Sequence, residues 1–170
     1  MTIRKSTPQD ISNIMEIYAY ARASMRESGN PNQWFDNHPP KSLVEADIHG
    51  GNSYVCVNEN EILAVFHFNI EEEPTYSKIS GQWLNDKPYG VIHRIARGPT
   101  GKGAGANAIN WCLAQHHNIR IDTHKDNIPM LRLLDRLGFA YCGVIWLDNG
   151  DERLAFHMSE DATRRIRQTT

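Results

Sequence analysis

The chain has 170 residues, 40% of them hydrophobic, and a formal net charge of −2, which suits one domain with a single sizeable core. That charge argues against general affinity for nucleic acid or anionic membranes, and no apolar run approaches the roughly 18 residues a membrane helix needs. Cys56, Cys112 and Cys142 are dispersed and form no C-x-x-C pair, and the N-terminus lacks a signal-peptide core, so the expected setting is cytoplasmic.

Thr2 to Ser6 reads as a first strand, and Thr7-Pro8-Gln9-Asp10 supplies an N-cap, a proline at N1 and an acid at N3 for a first helix. Ile11, Ile14, Met15, Tyr18 and Met25 keep helical spacing, which makes that face core, and Gly29-Asn30-Pro31 ends the helix. From Asn30 to Pro40, Trp34, Phe35 and three prolines follow no period, the pattern of an ordered loop or lid. Ser42 with Glu45 starts a short second helix that stops at Gly50-Gly51. Strands are expected over Ser53 to Val57 and Ile62 to Ile70, with a turn at Asn58 to Glu61; Ile62, Ala64, Phe66, Phe68 and Ile70 alternate with other residues.

Tyr89 to Ala96 is an apolar strand, and Thr100-Gly101-Lys102-Gly103-Ala104-Gly105-Ala106 leads from it into a helix with the stripe Ile109, Cys112 and Leu113. A strand at Ile119 to Thr123 precedes a short amphipathic helix with the stripe Met130, Leu133, Leu134 and Leu137, closed by Gly138-Phe139. Strands Phe139 to Leu147 and Glu152 to Met158 are joined through Asp148-Asn149-Gly150, a strong hairpin signal. The polar tail from Glu160, with Arg164, Arg165 and Arg167, reads as a frayed, solvated end. This order implies a single α+β domain over 1–170 with a mixed, mostly antiparallel sheet.

Of the eight histidines, His116 and His117 are adjacent on a helix and point apart, and the i, i+4 pair that zinc enzymes favour is missing, so no metal site is expected. The glycine loop is the chemical signal. Glycines between a strand and a helix let backbone approach an anion, and the amides of the helix's first turn then point at it. A Walker A motif, G-x-x-x-x-G-K-S/T, fails at Ala96 and Gly103. The dinucleotide fingerprint G-x-G-x-x-G/A is met by Gly101, Gly103 and Ala106, with Asp122 about 20 residues on, but the chain shows only one glycine-rich crossover. An NAD(P)-binding protein therefore remains an alternative.

The segment Thr100-Gly101-Lys102-Gly103-Ala104-Gly105 resembles the Q/R-x-x-G-x-G/A signature with which GNAT-superfamily N-acetyltransferases bind the pyrophosphate of acetyl-CoA. Asn127 to Phe139 is similar to that family's N-x-x-A-x-x-L-Y-x-x-x-G-F block, and the likeness runs from the first strand to the closing hairpin. Two positions depart from the pattern. Thr100 replaces Gln or Arg, and Leu134 stands where many members carry a tyrosine that protonates the departing thiolate.

The resemblance implies a GNAT-like domain with helices on both faces of its sheet and acetyl-CoA as co-substrate, without a metal. Cofactor contacts then fall on Ile95, Ala96 and Arg97 along the strand, on Gly101, Lys102, Gly103, Ala104, Gly105 and Ala106 in the loop, and on Asn127. The Ile95 amide becomes the oxyanion donor. His93, two residues before Ile95 and so expected on the same face, is the favoured base. Asp122 and His124 are a rival acid–base pair that could equally cap the loop before Asn127. Tyr141 and Cys142 could stand in for the tyrosine acid or be core.

The acceptor would be a small-molecule or peptide amine, with Arg26, Gln33, Trp34, Phe35 and Trp83 as pocket candidates; Trp34 and Phe35 could equally staple their loop to the core. Glu71-Glu72-Glu73 could attract a cation or be solvated surface. Exposed strands of the C-terminal hairpin would permit a homodimer. A CoA-sensing module without turnover is the other alternative.

Overall fold

A computed structural model describes residues 1–35 and 37–159. Among them run β1 (Thr2–Lys5), α1 (Ile11–Glu27), α2 (Lys41–His49), β2 (Ser53–Asn58), β3 (Glu61–Ile70), β4 (Ile79–Gly81), β5 (Gly90–Arg97), α3 (Ala104–Gln115), β6 (Ile119–Thr123), α4 (Ile128–Leu137), β7 (Ala140–Trp146) and β8 (Glu152–Met158). The strands hydrogen-bond in the order β1-β2-β3-β5-β6-β8-β7-β4. Pairs β1/β2, β2/β3, β4/β7, β6/β8 and β7/β8 are antiparallel, and β5/β6 is parallel at Gly90 with Ile119 and Val91 with Arg120. This is the expected α+β architecture with a mixed, mostly antiparallel sheet. The expectations for the tail, including Arg164, Arg165 and Arg167, lie outside the described residues.

The chain forms two compact units, one of Met1–Asn69 with Ile92–Trp111, the other of Ile70–Val91 with the chain from Cys112. In the first, Asp10 closes the start of α1 by accepting the Thr7 N–H (2.8 Å) and hydroxyl (3.0 Å), while Arg4 pairs with the same carboxylate at 2.7 Å. Arg4 holds that carboxyl down at about 2. The helix ends where Gly29 takes φ 86° and the Asn30 N–H reaches back to the Met25 carbonyl. The second helix begins one residue before the serine expected to cap it, at Lys41 after Pro40, because proline presets the entry angle and Lys41 and Glu45 form an i, i+4 pair.

Alternation in β3 turns out to conceal burial on both faces: Ile62 through Phe68 are all buried. Phe66 and Phe68 meet Trp111 of α3, which also packs on Tyr54. Val65 on the other face joins Ile14, Ile17 and Tyr18 of α1 and Val44 of α2 in the core. Helices thus cover both faces of this part of the sheet.

In the second unit, β8 lies between β6 and β7, and the hairpin turns at Gly150 with φ 87°. The short edge strand β4, unforeseen in the sequence, approaches β7 where glycine faces glycine; a Cβ on Gly81 would meet the Cys142 carbonyl, and one on Gly143 the Ser80 carbonyl. Asn127 caps α4 by accepting the Met130 N–H at 3.2 Å, and Gly138 ends it with φ 84°. Only Leu134 of the expected α4 stripe is fully buried; Met130, Leu133 and Leu137 are half-buried.

Several buried polar groups in this unit are paired, although Arg120 Nε is buried without a hydrogen-bond partner. The Arg120 guanidinium lies between Trp83 (4.4 Å) and Tyr89 (3.9 Å) and donates to the Asn85 carbonyl. His157 accepts the Leu84 N–H at Nδ1 (3.2 Å), so Nε2 carries the proton toward Asn118 Oδ1 (2.8 Å). Burial, reinforced by Arg120, pushes the His157 pKa down to about 4. Among the described residues no helix is long and apolar enough to cross a membrane.

Candidate active site

From Ile92 onward β5 belongs to the first unit and leads through the glycine loop into α3. Midway, Arg94 takes φ 50°, a left-handed conformation rare for a side-chain-bearing residue. Its guanidinium grips Asp47 of α2, with Nε to Oδ2 at 3.0 Å and Nη2 to Oδ1 at 2.9 Å, and both side chains are mostly buried. The Arg94 carbonyl accepts the Tyr18 hydroxyl at 3.0 Å. Burial pushes that phenol well above its usual pKa, so it stays protonated and donates.

His93 stands beside this cluster. Its ring lies 5.8 Å from that of the buried His67, whose Nε2 is 3.8 Å from Asp47 Oδ1. The i, i+2 rule that put His93 and Ile95 on one face assumes an extended residue between them. Arg94 is not extended, so the alternation is interrupted there, and His93, Arg94 and Ile95 are all half-buried. Ala96 is buried in the core, leaving its backbone as its only functional surface, while the Arg97 side chain is exposed and donates to the Gly98 carbonyl.

The glycine loop folds for two separate reasons. A Cβ on Gly101 would fall on the Leu63 carbonyl oxygen of β3, so this glycine permits close packing. Gly103 turns left-handed, φ 84°, immediately before α3, with open space around its missing side chain. Not every amide from Gly101 to Ala106 faces outward. Gly101 donates to the Gly98 carbonyl and Ala104 to the Gly101 carbonyl. Gly105 and Ala106 precede the first intrahelical bond, from Asn107 N–H to the Gly103 carbonyl, so their N–H groups project from the helix end toward any anion there. Lys102 is exposed beside them, and Thr100, in place of Gln or Arg, donates its hydroxyl to Glu61 at 2.6 Å.

The remaining candidates separate. Trp34 is buried against Tyr18, edge to face at 5.7 Å, whereas Phe35 and Arg26 are exposed and Gln33 accepts from Asn30. In the second unit Trp83 is buried and its indole N–H is bonded to the Tyr76 carbonyl. Asp122 accepts the Tyr76 hydroxyl at 2.7 Å, and burial, then Asp122, push that phenol well above its usual pKa. His124 takes the Asp126 N–H at Nδ1, and burial lowers its pKa. Glu73 of the acidic run caps the turn at Pro74–Tyr76. Cys142 is buried and Tyr141 exposed. Among the described residues no group of three or more His, Cys, Asp or Glu could hold a metal.

Asp47, His67 and Arg94 were not among the expected site residues, and Tyr18 was expected only as core. Their signal was present: Asp47 interrupts the stripe of α2 beside Val44 and Ile48, and His67 and Arg94 sit in otherwise apolar strands. Nothing local announced that they meet.

No protein-family model and no curated protein sequence matches the chain. Solved structures do. An acetyltransferase of the GNAT family from Streptococcus agalactiae 2603 superimposes with a TM-score of 0.85 at 30% identity, covering 94% of this chain and 95% of that one. The chain belongs to the GNAT family of acetyltransferases. A GNAT-family acetyltransferase from Listeria monocytogenes 4b F2365 has TM-score 0.67 at 19% identity over 92% of this chain and 94% of that one. The YncA protein of Salmonella typhimurium, solved with its cofactor acetyl-CoA, has TM-score 0.63 at 15% identity over 94% of this chain and 93% of its own. Leu134, at the position where the resemblance implies a tyrosine acid, is wholly buried.

Proposed function

We propose that this protein transfers the acetyl group of acetyl-CoA to a primary amine, of a small molecule or a peptide, by direct attack in a ternary complex. The start of α3 carries this reading: Gly103 turns the chain so that the amides of Gly105 and Ala106, with Lys102 beside them, present positive charge to a pyrophosphate. Membership of the GNAT family and the acetyl-CoA bound to the Salmonella protein support it.

In this reaction the backbone of Ile95 to Arg97 holds the pantetheine arm and the Ile95 N–H receives the developing oxyanion. His93, or a water it orders, takes a proton from the incoming ammonium. The amine nitrogen forms a bond to the carbonyl carbon as the carbon–sulfur bond breaks and the thiolate leaves. No enzyme thiol need intervene: burial raises the pKa of Cys56, to about 11, and of Cys142. Asn127 would bond the cofactor arm in addition to capping α4. Phe35 and Arg26, both exposed, are the pocket candidates at the surface. The three buried cysteines, none of them in a disulfide, suit a cytoplasmic setting.

A protein that holds CoA without turnover is the second reading, favoured by Leu134, which supplies no acid to the thiolate. Thiol release from acetyl-CoA with a panel of primary amines separates the two. Turnover that falls about 100-fold in His93→Ala supports transfer with His93 as base. Tight binding with no thiol release on any amine supports the second reading.

A further inference from the structure

We propose that Asp47 and Tyr18 are positioning residues: together they hold the peptide between Arg94 and Ile95 so that the Ile95 N–H faces the developing oxyanion. This rests on the acetyltransferase reading and adds to it the side chains that set the donor's direction.

Arg94 has a φ of 50° in the middle of a strand. A residue with a Cβ prefers the right-handed or extended regions over that conformation by about tenfold, so neighbours must impose it. Two contacts are placed to do so. The guanidinium is fixed by three hydrogen bonds of 2.8–3.0 Å to the Asp47 carboxylate, whose side chain is 12% exposed. The carbonyl of the same residue accepts the hydroxyl of buried Tyr18 at 3.0 Å. Tyr18 in turn is braced by the edge-to-face contact with Trp34.

The consequence lies at the other end of the peptide plane. In a trans peptide the C=O and the following N–H point in opposite directions. Fixing the Arg94 carbonyl on Tyr18 therefore aims the Ile95 N–H away from α1. Without the two restraints Arg94 relaxes toward an extended strand, the plane rotates, and the donor leaves its line. Pyrophosphate binding at the start of α3, which uses other amides, would be untouched, whereas the transition state would lose an aligned hydrogen bond.

The test compares Tyr18→Phe and Asp47→Asn with wild type. It adds two double variants, Asp47→Asn with Arg94→Gly and Asp47→Asn with Arg94→Ala, which remove the ion pair without leaving a buried carboxylate alone. Glycine adopts φ 50° freely and alanine does not. Acetyl-CoA affinity is read by calorimetry and turnover by thiol release, with the best amine of a panel and with water as acceptor; circular dichroism verifies folding. We expect each single variant to lose about tenfold or more in kcat with its acetyl-CoA Kd within about twofold of wild type. The Gly double variant should recover to within about threefold of wild-type kcat while the Ala double variant stays low.

Unchanged kcat in both single variants, or equal loss in the Gly and Ala pairs, overturns the proposal and leaves acetyl transfer standing. If Asp47→Asn does not fold, Tyr18→Phe, which deletes one oxygen, decides alone. A folded wild-type protein that releases no thiol with any amine or with water overturns the acetyltransferase reading and this proposal with it.

Discussion

Gly101 lies so close to Leu63 that a Cβ on the glycine would fall on the leucine's carbonyl oxygen, the same oxygen that accepts the Gly98 N–H at 2.9 Å. Two glycines of one loop are thus required for different reasons, and substitution should separate them. Gly101→Ala must displace backbone, at about 3 kcal/mol, whereas Gly103→Ala meets open space and bears only the left-handed cost of about 1 kcal/mol. Urea unfolding of the two variants checks the ranking; equal losses would refute it.

Leu134 invites the opposite experiment, restoring the tyrosine found in many GNAT members. Its side chain is wholly buried, so a phenol there must overpack the core and hide its hydroxyl. Leu134→Tyr should lose about 2 kcal/mol of stability and gain no turnover. A faster, equally stable variant in thermal melts and thiol-release assays would show that this position can serve the chemistry.

His157 predicts a pH dependence. Its folded pKa is about 4 against 6.5 when exposed, so between these values the unfolded chain binds a proton that the folded chain refuses. Its contribution is complete above pH 6.5 and is lost as pH falls toward 4, by up to about 3 kcal/mol at 1.36 kcal/mol per unit. Asp10 adds nothing in this window, because its stabilisation is lost only below its unfolded value of 3.8. His124, also lowered by burial, slopes the same way. His157→Gln should be less stable at neutral pH and visibly flatter between pH 6.5 and 4, as read from urea midpoints.

What could be read from the sequence was local. The helix start after Thr7, where Asp10 rather than Thr7 is the N-cap of α1, the turn at Gly150 and the glycine loop each place their signal within a few residues of the structure they specify. Strand β3 shows the limit: its alternation was real, yet the intervening Leu63, Val65 and His67 are buried too, because helices cover both faces. Strand β4 is three residues long, set by contact with β7 rather than by any pattern of its own. The ion pair of Asp47 with Arg94 joins residues 47 apart in the chain, and neither its geometry nor the φ of Arg94 has a local cause. The candidate loop was legible and the side chains that orient its approach strand were not.

Acetyl transfer stands or falls on the co-substrate, so the decisive measurement is calorimetric titration of the purified protein with acetyl-CoA, repeated with NADH. Saturable binding of acetyl-CoA with NADH silent is the predicted result. Binding of NADH instead, or of neither, would contradict the proposed function and leave the glycine loop to a dinucleotide or to packing alone.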